Sequence, residues 1–268
     1  MFTLGRKIDF SYQTNKIISA LALLFIALGW FASKDIMVGV NIGGAVFLTW
    51  ALARELDPKY AYSAFLSVAF SLVYLLNYQS VQFLLIFWII LVMRLLSGIC
   101  GKKTTLVDIL SVFGLTLYLS INNQNSIYLI PFIITMLLLV LFKENSKQAI
   151  ILSAVTMGIF IVESISFSYL SLNVTTYSSL INIALLSLVI ISMSFWLFTP
   201  LGEIDDDLGK SAKAQRVIAS KLMYSLILLL LYFFGDLNHS NLIIIYSVLL
   251  AVIVYWLLDE MVVYIKRK

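Results

Sequence analysis

The sequence predicts an all-α fold: a polytopic integral membrane helix bundle of about ten transmembrane helices, with both termini on the cytoplasmic side. Three observations predict it. Apolar residues make up 62% of the 268 positions and charged residues 12%, against about 25% charge in a soluble domain. The apolar residues fall in successive runs close to the roughly 20 residues that span a bilayer core. Seventeen of the eighteen lysines and arginines lie at every second junction between runs, Lys34 being the exception. Basic residues concentrate on the cytoplasmic side of a membrane, so their alternation gives both the number of crossings and the orientation.

The expected helices are 17–33, 36–53, 60–77, 81–99, 105–121, 126–142, 148–170, 178–199, 217–235 and 241–264. The first follows a basic arm (Arg6, Lys7, Lys16) as a signal peptide would, but no small-residue cleavage pattern follows it. Removing it would break the charge alternation, so it counts as a span. The second runs into Arg54-Glu55-Leu56-Asp57-Pro58, where the proline limits continuation. The third starts beside Lys59 and ends at the uncharged stretch 77–80. The fourth closes on Arg94 and Gly98, and after Lys102 and Lys103 the fifth runs to Asn122-Asn123-Gln124-Asn125. Lys143 and Lys147 separate the sixth from the seventh, and the uncharged 171–177 stretch precedes the eighth. The longest loop, with Glu203, Asp205 to Asp207, Lys210, Lys213 and Arg216, leads to the ninth. The tenth follows 235–241 and ends at Lys266-Arg267-Lys268. Tyrosines and tryptophans gather near the expected interfaces, where amphipathic rings prefer to sit.

Ten spans leave no room for a soluble domain, so residues 1–268 form one transmembrane domain. Five plus five crossings permit an inverted repeat of 1–122 and 126–268, an arrangement known in transporters. Internal similarity between the halves is slight, and three prolines and twelve glycines are few for broken helices. The lone Cys100 excludes an internal disulfide or a cysteine-cluster metal site. A single histidine, His239, excludes chemistry that needs two. The net charge of +4 is spread along the cytoplasmic junctions, which fits anionic headgroups and provides no nucleic-acid patch.

Two places hold chemistry. Glu163 lies sixteen residues past Lys147, about 24 Å along a helix, in the outer part of the hydrocarbon. An intramembrane carboxylate is costly and marks a functional site by default. Thr156 and Ser166 share its helical stripe with Ser153, Asn182 is expected at similar depth, and Asn41 stands beside Gly39, Gly43 and Gly44, small residues that permit close helix approach. These form the candidate intramembrane polar or proton site. The second place is the cytoplasmic rim: Arg54, Glu55, Asp57, Arg94 and Asp108, with Asp205, Asp206 and Asp207 as candidate metal ligands. Carboxylates beside basic groups there could hold Mg²⁺ and a phosphate headgroup.

The expected function is a small-solute transporter or permease of the plasma (cytoplasmic) membrane, with a protonatable site at Glu163 and no cofactor. Its partners are the lipid bilayer and a small solute or lipid, with no nucleic acid. Two alternatives stand: a structural or accessory membrane protein without substrate, and a Mg²⁺-dependent membrane enzyme acting on a lipid phosphate at the rim.

Overall fold

A computed structural model gives the fold of residues 2–6, 8–72, 81–170, 179–199, 204–235 and 237–266. The expected loops 77–80 and 171–177, Glu203, and the basic residues Lys7, Arg267 and Lys268 lie outside the described residues. Ten α-helices follow the expected order: α1 (Gln13–Ser33), α2 (Ile36–Leu56), α3 (Ala61–Ser71), α4 (Phe83–Ser97), α5 (Leu106–Asn122), α6 (Leu129–Leu141), α7 (Ser146–Ser166), α8 (Ser179–Phe198), α9 (Ala214–Phe234) and α10 (His239–Lys266). A 3-10 turn, Ser126–Tyr128, leads into α6. Among the described residues there is no strand beyond one isolated bridge, Asp205 to Ser211.

Six of these helices are long and apolar enough to cross a membrane: α1, α2, α7, α8, α9 and α10. The apolar stretches 61–71, 83–97, 106–122 and 126–141 are shorter. At about 1.5 Å per residue the fifteen residues of α4 extend about 22 Å, less than a hydrocarbon core of about 30 Å. The expected helix ends shift for local reasons. Gly98 and Gly101 adopt φ of 67° and 70°, conformations that glycine tolerates best, and α4 stops at Ser97. Ser168 takes φ 54° and the Tyr169 N–H turns back to the Glu163 carbonyl at 3.1 Å, so α7 ends at Ser166 rather than 170.

Packing groups the chain into two compact units. The first joins Met1–Arg6 to Trp88–Leu237. Its centre is α4 from Trp88 onward, where Ile89, Val92, Met93, Leu95 and Leu96 are wholly buried. Two sets of buried polar groups pair between helices. The Trp88 indole donates to Thr116 Oγ1 at 2.9 Å, and Ser225 Oγ accepts from Trp196 Nε1 at 3.1 Å and meets Ser192 Oγ at 2.9 Å. Along α7, Ala149, Ser153, Thr156 and Glu163 are buried, while Ile150, Ile151, Val155, Ile161, Val162 and Ile165 are exposed. Polar inside and apolar outside inverts the pattern of a helix in water and suits one surrounded by hydrocarbon.

The loops of this unit meet at two ends. At one, residues 2–6, the α4–α5 loop and the 204–213 loop touch each other through bonds described below, and Asn145 Nδ2 of the α6–α7 turn donates to the Thr104 carbonyl at 2.6 Å. At the other, the Ser126 N–H donates to the Tyr169 carbonyl at 3.2 Å and Asn125 Nδ2 donates to the Phe234 carbonyl.

The second unit joins Lys7–Phe87 to Asn238–Lys268. Here α1 and α2 form a hairpin closed by two residues. Lys34 takes the left-handed conformation with its N–H on the Trp30 carbonyl at 2.8 Å, and Asp35 caps α2 by accepting from Met37 N at 2.8 Å. Glycine makes the hairpin tight: a Cβ on Gly39 would lie 2.4 Å from the Ile26 carbonyl oxygen, and one on Gly43 would lie 2.6 Å from that of Ala22. Helices α2 and α3 pack on α10. Tyr60 donates to Asp259 Oδ2 at 2.9 Å at one end. At the other, Asn241 exchanges bonds with Gln82, accepting its N–H at 2.9 Å and donating to its Oε1 at 3.1 Å.

Candidate functional site

Two of the rim residues hold the leading segment of the chain. The Asp108 carboxylate is fully buried and accepts five hydrogen bonds. Thr3 supplies its N–H at 2.5 Å and its hydroxyl at 2.6 Å, and the Leu4 N–H adds one at 3.3 Å. The other two come from Thr105, whose N–H and hydroxyl lie at 2.7 Å. Thr105 also caps α5 through the Asp108 N–H, completing a capping box. The acid sits at the helix N-terminus, where the macrodipole favours negative charge. Arg94 takes the opposite side of the same segment, with Nη1 3.0 Å from the Leu4 carbonyl.

The three consecutive aspartates do separate jobs. Asp206 Oδ1 accepts the N–H groups of Leu208 and Lys210 at 2.8 and 2.9 Å, closing its own turn. Asp207 pairs with Arg6, and its N–H donates to the Ile99 carbonyl at 2.9 Å. Asp205 is exposed and bridges to Ser211. Among the described residues no three His, Cys, Asp or Glu side chains converge as a metal site.

Arg54, Glu55 and Asp57 belong to the second unit. Glu55 and Asp57 are 4% and 6% exposed at the foot of α2, beside Lys59 and Tyr60. The Lys59 ammonium lies 4.7 Å from the Tyr60 ring centre. A hydrogen bond with Tyr60, then the charges of Asp259 and Asp57, hold that ammonium above the usual lysine range against some desolvation.

Glu163 has a different setting. Its carboxyl is 5% exposed, with Oε2 on the Ser120 hydroxyl. Ser120 also faces the Asn125 carbonyl at 3.0 Å. The next residue of α7, Ser164, meets Ser126 at 3.0 Å. Glu163 lines a groove of about 540 Å³ together with Ile121, Val155, Gly158, Ile159, Val162, Phe167 and Tyr169. Thr156 shares the buried face of α7 but bonds back to the Leu152 carbonyl at 2.6 Å, and Ser166 is exposed. Neither lines the groove. Asn182, on α8, is half-buried. Asn41 belongs to the second unit, half-buried beside the glycine contact.

Sequence reading passed over Ser120 and Glu144 and took Arg216 only as a loop charge at the rim, yet the site and rim depend on all three. Ser120 sits where α5 was expected to end, and its only signal was a hydroxyl near the same depth as Glu163. Arg216 is buried and donates to the Leu95 and Leu96 carbonyls at 3.2 and 2.9 Å, capping α4, while its Nη1 meets Glu144 at 3.1 Å. Glu144, the one acid between two lysines, was the available clue.

Exposed apolar helices, inward polar stripes and paired buried hydroxyls define a helical membrane protein. No protein-family model, curated protein or solved structure matches the chain, so the roles of its residues rest on its own geometry.

Proposed function

We propose that the chain is a small-solute permease of the plasma membrane, crossing it about ten times with both termini in the cytoplasm, and that Glu163 is its protonatable binding residue. The observation that carries this reading is a carboxyl buried within an apolar helix and lining a groove large enough for a small molecule. Pockets of that kind, apolar with one convergent polar group, are the usual form of a small-molecule site.

The contacts between loops support the crossing pattern. Arg6 with Asp207, Thr3 with Asp108, Arg216 with Glu144 and Tyr60 with Asp259 each join two segments that the charge alternation assigns to the cytoplasm. Ser126 with Tyr169, Asn125 with Phe234 and Gln82 with Asn241 each join two segments assigned to the outside. The short helices are compatible with crossing, since a bilayer thins around short segments at modest cost. The inverted repeat adds nothing that this reading needs. Mg²⁺ chemistry at the rim has less support, because Asp108, Asp206 and Asp207 are engaged by the leading segment, their own turn and Arg6.

The test is flux in proteoliposomes loaded with a pH-sensitive dye, screened with labelled amines, amino acids, sugars and carboxylates. At least one class should cross in a manner that depends on the pH gradient, and Glu163→Gln should abolish that dependence. Identical behaviour of the variant and the parent for every transported solute would overturn the assignment of Glu163. Absence of any flux from correctly folded protein would overturn the permease reading.

A further inference from the structure

The groove also bears on what kind of solute it takes. We infer that it binds a free amphipathic organic cation and releases one proton in doing so. This rests on the permease reading of the same groove and adds the charge of the ligand to it.

The walls select an apolar body. Ile121, Val155, Ile159 and Val162 present only carbon, and Gly158 leaves open space, since a Cβ there would meet nothing within 4 Å. The floor selects charge. Among the described residues Glu163 is the one ionisable carboxyl lining the groove, and no Lys, Arg or His lines it. Phe167 and Tyr169 stand beside it with ring centres 5.5 Å apart and planes inclined by 36°, and aromatic faces attract cations.

The surrounding elements supply no competing charge. The described α6, Leu129–Leu141, contains no titratable residue. On α5 the carboxylate is Asp108, twelve residues before Ser120 and about 18 Å along the helix; Tyr118 on that helix is exposed. Tyr128 in the 3-10 turn accepts from Asn123 at 3.0 Å and packs edge-on against Trp88. Lys147 lies at the far end of α7. An anion would meet a carboxyl with no cation to offset it.

Hydrogen-bond accounting supplies the proton. The Ser120 hydroxyl has one hydrogen but faces two acceptor oxygens, Glu163 Oε2 and the Asn125 carbonyl. A neutral Glu163 resolves this: its O–H donates to Ser120 Oγ, and Ser120 donates to Asn125. When a cation enters, the Glu163 O–H bond breaks and the proton passes to water. The resulting carboxylate pairs with the cation and receives the Ser120 hydroxyl. The groove stays neutral overall, and no electrons are transferred.

Equilibrium dialysis of the full chain in detergent tests this with tetraphenylphosphonium and with tetraphenylborate, a probe of the same shape and opposite charge. Saturable phosphonium binding is expected, weakening about tenfold for each pH unit of acidification once the acid is protonated. Titration calorimetry in two buffers of different ionisation heat should count one proton released per cation. Glu163→Gln should lose the pH dependence and bind about tenfold more weakly. Tyr169→Leu should weaken binding yet keep the proton count, which also reports an intact groove. Equal borate binding, no saturable phosphonium binding by folded protein, or pH dependence surviving in Glu163→Gln overturns the cation class and leaves the permease reading standing. Competition by phosphatidylethanolamine at the same site overturns the free-solute source in favour of a lipid ammonium. Cation binding without flux in proteoliposomes overturns the permease reading and leaves the cation class intact.

Discussion

Replacing Asp108 with alanine should release the leading segment from the body of the first unit. The carboxylate accepts five bonds, three from Thr3 and Leu4 and two from Thr105. Hydrogen bonds to a charged group contribute about 1.5–3 kcal/mol each when made alone, and bonds sharing one carboxylate are worth less than their sum. A cost of about 3 kcal/mol for the three bonds from the segment follows, with about 1 kcal/mol more for the lost cap on α5. The assay is denaturant unfolding in detergent, run as a cycle with deletion of residues 2–6. Asp108→Ala should cost about 4 kcal/mol in the full chain and about 1 kcal/mol in the deletion background, the difference being the coupling between acid and segment. Hydrogen exchange at the Thr3 and Leu4 amides should accelerate together in the single variant. An equal cost in both backgrounds would refute the reasoning and leave Asp108 as a helix cap and nothing more.

Two other outcomes follow from the packing. Gly43→Leu should force α1 and α2 apart, because the first new atom already meets the Ala22 carbonyl, which belongs to the backbone and cannot rotate away; a loss of about 1–3 kcal/mol is expected, read as a lowered unfolding midpoint, while Val40→Leu on the exposed side should change it little. Arg216→Lys should destabilise by about 2 kcal/mol or more, because an ammonium cannot reach two carbonyls and Glu144 at once as the planar guanidinium does; unfolding beside a Glu144→Gln variant separates the cap from the ion pair, and a Lys variant as stable as the parent would refute the capping role.

Much of the fold was legible because the bilayer simplifies the code. Where one solvent removes all backbone partners, helices are the available solution for an open chain, and run length with Lys/Arg alternation then orders them. All ten expected helices have a counterpart, and Gly39 and Gly43 were read as a close-approach surface, which α1 occupies. Length was harder to read. Apolar composition does not say where a helix stops, and α7 ends early because Ser168 adopts a left-handed turn that nothing in its residue type demands. The burial of Glu163 was expected from its position, but its partner was not. Hydrogen-bonding choice depends on which helix lies alongside, and Ser120 on α5 took the place that depth alone suggested for Asn182. At the rim, charge density resembled a ligand site, and the role of Asp108 emerged only with residues that lie more than a hundred positions away.

The bonds that fix residues 2–6 also set an order of events during synthesis. Thr3, Leu4 and Arg6 leave the ribosome before their partners, Arg94 and Asp108 close together and Asp207 about a hundred residues later. The leading segment therefore waits, unpaired, while several helices are threaded into the membrane, and its last bond forms only once the loop before α9 has been made. A protease directed at this segment in a time course would thus measure how far assembly of the first unit has progressed, with protection arriving in two steps.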